Sequence, residues 1–410
     1  MRELIRKILY ETVGVPSGIT TVGKNIYNKL MEYLRQNPDF AINGQEIRFY
    51  NEDGPNGRIF DFADVGPEYI NIYINLREVD SDELNRYVMI GLGLREHIKF
   101  NVDTLKVDIP PRNFISLNFN IAYPSNDTPK PESVIDLLKK DTETEKYDNG
   151  IDIISSIVHE IMHDYDSFKK KREGVRERTK YSNAANKRFG IKVIDKFIYN
   201  TYFVTNIEST VRPSEIFSKF ELMNVTQETF LEELRKTKTY EKLKEIESFT
   251  YDKFIERLKN EVDLDSPPKT DNMTEEEKVK LFLKRVYVAF HQSFVDLLPR
   301  FLGMETFTSI LDSDDTKEKK RNMYDKLSNE VVRNVDNPID YFQKTIKRNS
   351  FLAQNAIKRI SKIYSLLPSS KNQNNSINPN IALKEYDYFP EKRVKLGGVK
   401  IKRLNFKKDN

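Results

Sequence analysis

The chain has no cysteine and no tryptophan among its 410 residues. The missing thiols exclude disulfides, thiolate nucleophiles, Cys-ligated zinc and iron–sulfur clusters together, so any metal must be held by imidazole and carboxylate. Long apolar runs are absent too. The longest, Tyr87 to Leu94, is under half the ~20 residues of a membrane-spanning helix, and no membrane partner is expected. The N-terminus, Met1-Arg2-Glu3-Leu4-Ile5-Arg6-Lys7, interleaves charge with apolar residues and lacks the h-region of a secretory signal, so a cytoplasmic protein is expected. Phosphate-binding and hydrolase signatures are lacking: there is no glycine-rich phosphate loop and no Gly-x-Ser-x-Gly elbow, and Gly91-Leu92-Gly93 is a fragment of a dinucleotide fingerprint at most. Neither sign of charge dominates, with 67 Lys+Arg against 63 Asp+Glu. Eight of the bases, against only Glu391 and Asp409, fall in residues 391–410, which leaves 59 bases and 61 acids in residues 1–390. Nucleic acid is therefore not an expected partner, apart from contacts that the basic tail could make.

What is present divides by period. Leu4, Ile5, Ile8 and Leu9, then Ile26, Leu30, Met31 and Leu34, recur at helical spacing and predict two helices separated by Pro16-Ser17-Gly18. From Ile42 to Tyr123 the period becomes two: Ile70, Ile72, Ile74 and Leu76 alternate with polar or aromatic residues, as do Ile115, Leu117, Phe119 and Ile121. Shorter runs at Ile47 to Tyr50, Ile98 to Val102 and Leu105 to Ile109 add strands, giving a sheet of four to six, with a turn at Gly54-Pro55-Asn56-Gly57. Pro124 to Gly150 reads as a surface excursion with one amphipathic piece at Val134 to Leu138. Helical spacing then runs from Ile151 to Leu367, with breaks expected at Arg212-Pro213 and Asp265-Ser266-Pro267-Pro268, and a capping box at Thr274 to Glu277. The class is α+β. The expected organisation is a sheet region over 1–148, a metal-binding helical core over 149–215, a helical domain over 216–368, and a linker with basic tail over 369–410.

Two of the four histidines stand in Ile157-Val158-His159-Glu160-Ile161-Met162-His163, which is HExxH. On a helix, residues four apart share a face, so both imidazoles reach one tetrahedral Zn²⁺, while Glu160, turned by ~100°, reaches the water beside it. A chance occurrence in a chain of this histidine content has a probability of roughly a few in a thousand. Ile154, Ile157, Val158, Ile161 and Tyr165 form the apolar stripe that anchors this helix. The structural alternative is an amphipathic helix with two surface histidines.

On these residues the sequence resembles the zincin metallopeptidases. The resemblance implies a twisted mixed sheet preceding the HExxH helix, a mostly helical part after it, and a protein or peptide substrate along the sheet's edge strand. It departs from the usual pattern at Asp164, a position commonly uncharged, and it excludes the metzincin subset, since Lys169 stands where a third His would fall. A gluzincin-type third ligand would be a Glu on a following helix. Ile191 to Val211 is strongly helical, and Glu208 lies beside its apolar face, in the segment Asn206-Ile207-Glu208-Ser209-Thr210. Its alternative is a surface pair with Arg212. Glu215 is the next candidate ligand, and Glu173 or Glu177 follow.

Outer support for a ligating His falls to Asp166 or Asp164. Tyr165, Tyr202, Arg212 and His291 are candidate donors to a developing oxyanion. His291 and His97 read more simply as packing residues. Two functions are in play. One is a zinc-dependent peptidase with His159, His163 and Glu208 as ligands and Glu160 as general base. The other is a structural or interaction protein that retains a zincin framework, its long helical half making the contacts. The Lys/Ile/Asn-rich texture is similar to that of tailed-phage proteins, so a phage origin and a virion location are held beside the first reading.

Overall fold

The computed structural model describes residues 14–53, 67–80, 84–94, 99–101, 106–108, 114–139, 150–169, 189–262, 264, 273–295 and 337–369. The chain divides into two units, Met1–Ser370 and Lys371–Asn410, and the described residues all belong to the first. The helix expected before Pro16, the turn at Gly54 to Gly57, the Asp265 to Pro268 break and the basic tail lie outside the described residues. Among the described residues no helix is long and apolar enough to cross a membrane.

The architecture is α+β. Strands β1 (Glu46–Tyr50), β2 (Tyr69–Val79), β3 (Val88–Leu94) and β6 (Phe114–Pro124) form a four-stranded sheet in the order β1-β2-β6-β3, and β4 (Lys99–Asn101) with β5 (Lys106–Asp108) forms a separate pair. Strand β2 runs parallel to β6, whereas β1 and β3 are antiparallel to their neighbours. The register sets Ile70 opposite Ile115, Ile72 opposite Leu117 and Ile74 opposite Phe119. All six are buried, so period-two alternation gives the sheet one continuous apolar face, each side chain contributing about 1.5–3 kcal/mol of burial. The other face carries polar and aromatic rows, with Tyr69 stacked on Phe114 at 5.2 Å and Asn75 bonded to Asn120 at 3.3 Å. Strand β3 is the one that alternation does not single out. Gly91 and Gly93 interrupt its pattern, and its register with β6 shifts between Met89 and Gly91.

Helices α1 (Ile19–Gln36), α2 (Pro131–Lys139) and α3 (Ile151–Lys169) accompany the sheet, and α3, which carries HExxH, packs on β3 and β6. Its stripe is buried at Ile154, Ile157, Val158 and Ile161. Close packing of α1 on α3 depends on Gly23, where a Cβ would fall 2.7 Å from Val158 Cγ2 and 3.1 Å from the Ile154 carbonyl. The start of α3 depends on Gly150. Its φ of +65° suits glycine, its carbonyl accepts the Ile154 amide at 2.8 Å, and a Cβ there would lie 2.3 Å from the Tyr27 ring.

Two expectations about the next segment are corrected. Ile191 to Val211 is not one helix: α4 (Lys192–Phe203) ends at Val204, Thr205 is extended with ψ 151°, and α5 (Asn206–Leu222) begins anew. Nor does Pro213 break the chain, because it lies inside α5. An interior proline costs a helix ~3 kcal/mol or more, and the buried face of α5, from Glu208 and Val211 through Ile216, Phe217 and Phe220, outweighs it.

The remaining helices are α6 (Phe230–Arg235), α7 (Lys238–Glu247), α8 (Tyr251–Glu261), α9 (Glu275–Val295) and α10 (Pro338–Ser361), and the last three build a second core with α4. Phe197 of α4, Phe254 of α8, Leu283 of α9 and Phe342 of α10 meet there. The capping box forms as expected, the Thr274 amide donating to Glu277 and the Glu277 amide to the Thr274 hydroxyl.

Candidate metal centre

Helices α3 and α5 lie antiparallel against each other. Lys219 pairs with Asp152 at 2.7 Å near one end, and the histidines of α3 meet the first turns of α5 near the other. The break at Val204–Thr205 starts α5 afresh, so Glu208 occupies its first turn and faces α3.

Helical spacing of four brings the His159 and His163 rings edge to face, their centroids 4.8 Å apart, with the two Nε2 atoms 3.1 Å from each other. Glu208 spans both. One carboxylate oxygen lies 3.3 Å from His159 Nε2 and the other 3.5 Å from His163 Nε2. The Glu208 and His163 side chains are each 1% exposed and that of His159 12%. Donors held ~2.0–2.1 Å from a tetrahedral zinc stand roughly 3.3–3.4 Å from one another, and the three separations seen here bracket that figure. Glu160 is close by, since ligand atoms from His159, Glu160 and His163 all lie within 4.8 Å of one another, and the group could hold a metal ion.

The other side of His159 is occupied by Glu215, whose carboxylate lies 2.7 Å from Nδ1. A metal-ligating histidine commonly donates its second ring N–H to a carboxylate, which fixes its tautomer and its orientation. Glu215, weighed in the sequence as a third ligand, is therefore placed behind the ring, while Glu208 faces the two Nε2 atoms. Between them stands Arg212, its guanidinium 3.7 Å from Glu208 and 3.5 Å from Glu215 and lying 3.6 Å from the centroid of the Phe203 ring.

Comparison with protein-family models, with curated proteins and with solved structures finds no match. Charge balance at the site speaks for itself. Two carboxylates on α5 face one permanent cation, Arg212, which leaves one negative charge to be met. Burial opposes a charge on His159, but Glu215 and Glu208 outweigh it and lift its pKa to about 10. Burial also pushes the Glu215 carboxyl up, yet His159 and Arg212 hold it below its ordinary value. Without a metal, a protonated His159 supplies a positive charge there; a metal bound at Nε2 would have to displace that proton.

Other sequence candidates divide. The Asp164, Tyr165, Asp166 and His291 side chains, and the whole of His97, Glu173 and Glu177, lie outside the described residues. Tyr202 packs against the second helical core, and Arg212 is engaged by the two carboxylates. One residue that sequence reasoning passed over is Tyr199. Although the residue is 43% exposed, its phenol is raised above its ordinary pKa by desolvation first, with Arg212 opposing and Glu208 and Glu215 adding. Its ring lies 5.9 Å from that of Phe203, one turn along α4. The i,i+4 spacing of Tyr199 and Phe203 was the available signal.

Proposed function

We propose that the chain is a zinc-dependent metallopeptidase of the zincin, gluzincin-like type, with His159, His163 and Glu208 as zinc ligands and Glu160 as general base. The observation that carries the reading is the convergence of two Nε2 atoms and one carboxylate at 3.1, 3.3 and 3.5 Å, an N,N,O donor set at tetrahedral spacing. Bound there, Zn²⁺ would supply a Lewis acid and lower the pKa of a water to about 7.

The chain's own groups do the rest. Glu215 holds Nδ1–H of His159 and so aims the Nε2 lone pair at the centre. Glu160 accepts a proton from the attacking water and passes it to the leaving amine. Arg212 offsets one of the two α5 carboxylates. Support for a peptide substrate comes from the sheet: β3, which packs against α3, is an edge strand among the described residues, and an extended chain can add to such an edge.

Metal analysis tests the reading directly. Protein purified without added zinc and then titrated with it is expected to take up about one Zn²⁺ per chain, with a rise in thermal stability. A chain that keeps full helicity yet remains metal-free in excess zinc overturns the proposal. A chain that binds zinc but never cleaves would instead favour the interaction-protein alternative.

A further inference from the structure

Glu208 stands on a weak piece of helix. The Thr205 side chain makes no capping bond to the start of α5; its hydroxyl donates instead to the Tyr202 carbonyl at 2.9 Å. Ser, Thr, Asp or Asn at this position ordinarily satisfies one of the orphan amides, and losing that bond costs about 0.5–2 kcal/mol. Farther along, Pro213 has no N–H to give the Ser209 carbonyl its usual i+4 bond. The first turns of α5 are thus short of hydrogen bonds at both ends, and there the position of the Glu208 carboxylate is decided.

One side chain from a distant part of the sequence braces this turn. Arg359, near the end of α10, donates from Nη1 to the Ser209 hydroxyl at 3.1 Å and to the Asn206 side-chain carbonyl at 3.4 Å. Those two residues flank Glu208. The guanidinium suits the last turn of its own helix, but beside the N-terminus of α5 it has the wrong sign for that helix's dipole, so the contact with α5 rests on its hydrogen bonds. The brace is itself anchored: Asn349 donates to Thr201 on α4 at 2.8 Å, Ser350 donates to the Glu247 carbonyl on α7 at 2.8 Å, and Phe342 and Ile346 sit in the second core.

We infer that Arg359 is a positioning residue for the metal centre, holding the uncapped first turn of α5 so that Glu208 meets His159 and His163. The inference rests on the metal reading above. It also gives the C-terminal helix α10 a task in the site.

Two measurements on the full chain decide it. In zinc titration against a chromophoric chelator, Arg359→Met is expected to weaken binding by about 10–100-fold, the usual cost of losing support around a ligand. Arg359→Lys should recover part of the loss, and Arg359→Met combined with Ser209→Ala should lose little more than Arg359→Met alone. In hydrogen exchange on the metal-free protein, Arg359→Met is expected to speed the amides of residues 207–211 about tenfold and leave those of 154–162 unchanged. Wild-type zinc affinity in Arg359→Met, or unchanged exchange in α5, overturns the positioning role. Wild type that binds no zinc overturns the metal reading and the role built on it, and is told apart because the failure lies in the unmutated chain.

Discussion

Glu215 lies 2.7 Å from Nδ1 of His159 while Glu208 approaches Nε2 of the same ring at 3.3 Å, so one imidazole is held between two carboxylates with different tasks. Under the proposed metal reading the first orients the ring and the second shares its metal. Glu215→Ala is therefore expected to lower zinc affinity by about 10–100-fold, and Glu208→Ala by more, because the one removes support and the other a ligand. Glu232, exposed and paired with Lys236, serves as control, and Glu232→Ala should bind as wild type does. Competition titration ranks the three, and a Glu215→Ala variant weaker than Glu208→Ala would exchange the two roles.

The same pair sets a pH dependence. His159 has a folded-state pKa raised to about 10 from 6.5, so its contribution to stability in the metal-free protein is complete below pH 6.5 and is lost as pH rises through 10. Zinc needs the neutral ring and must displace that proton. Between pH 7 and 9, zinc binding is expected to release about one proton from this residue and to tighten about tenfold per pH unit, provided the other ligands hold their protonation. Calorimetry in buffers of differing ionisation enthalpy counts the protons. Uptake without release would mean that His159 is neutral before the metal arrives.

Much of this was legible in the chain because it is local. The four-residue spacing of His159 and His163 is a property of any helix, and the alternation of Ile70 to Leu76 with Ile115 to Ile121 fixes one face of a sheet whatever the topology. Less local facts were harder to read. That Glu208 faces Nε2 and Glu215 faces Nδ1 follows from the antiparallel docking of α5 on α3, to which no short window of sequence refers. The break at Val204–Thr205 has neither glycine nor proline to announce it, whereas Pro213 announces a break that the buried face of α5 overrides. Strand β3 escaped notice because its two glycines disrupt the alternation that reveals its neighbours.

Gly150 ties the fold to the site, since it starts the helix that bears both histidines. Gly150→Ala would force an alanine to φ +65° and drive its Cβ to 2.3 Å from the Tyr27 ring. Left-handed backbone costs ~1–2 kcal/mol for a residue with a Cβ, and overpacking typically adds 1–3 kcal/mol. Denaturant unfolding is expected to show a loss of about 2–5 kcal/mol, large for a single methyl group. A loss below about 0.5 kcal/mol would mean that the start of α3 can shift without cost.

Glu160 separates an enzyme from a scaffold. It follows His159 on α3 and lies among the ligand atoms, and under the proposed reading, in which His159, His163 and Glu208 hold the zinc, it is left to act on the water. Glu160→Gln keeps the size and hydrogen-bonding reach of the side chain but cannot take up a proton. Zinc content and helicity should therefore stay at wild-type levels while peptide hydrolysis falls by about 10²-fold or more, the scale of losing a general base. The assay is cleavage of a mixed peptide library by both proteins in parallel, with new termini read by mass spectrometry. Cleavage undiminished in the variant would refute the role of Glu160. Zinc-loaded wild type that yields no new termini would argue for the interaction protein, because a scaffold has no turnover for Glu160→Gln to remove.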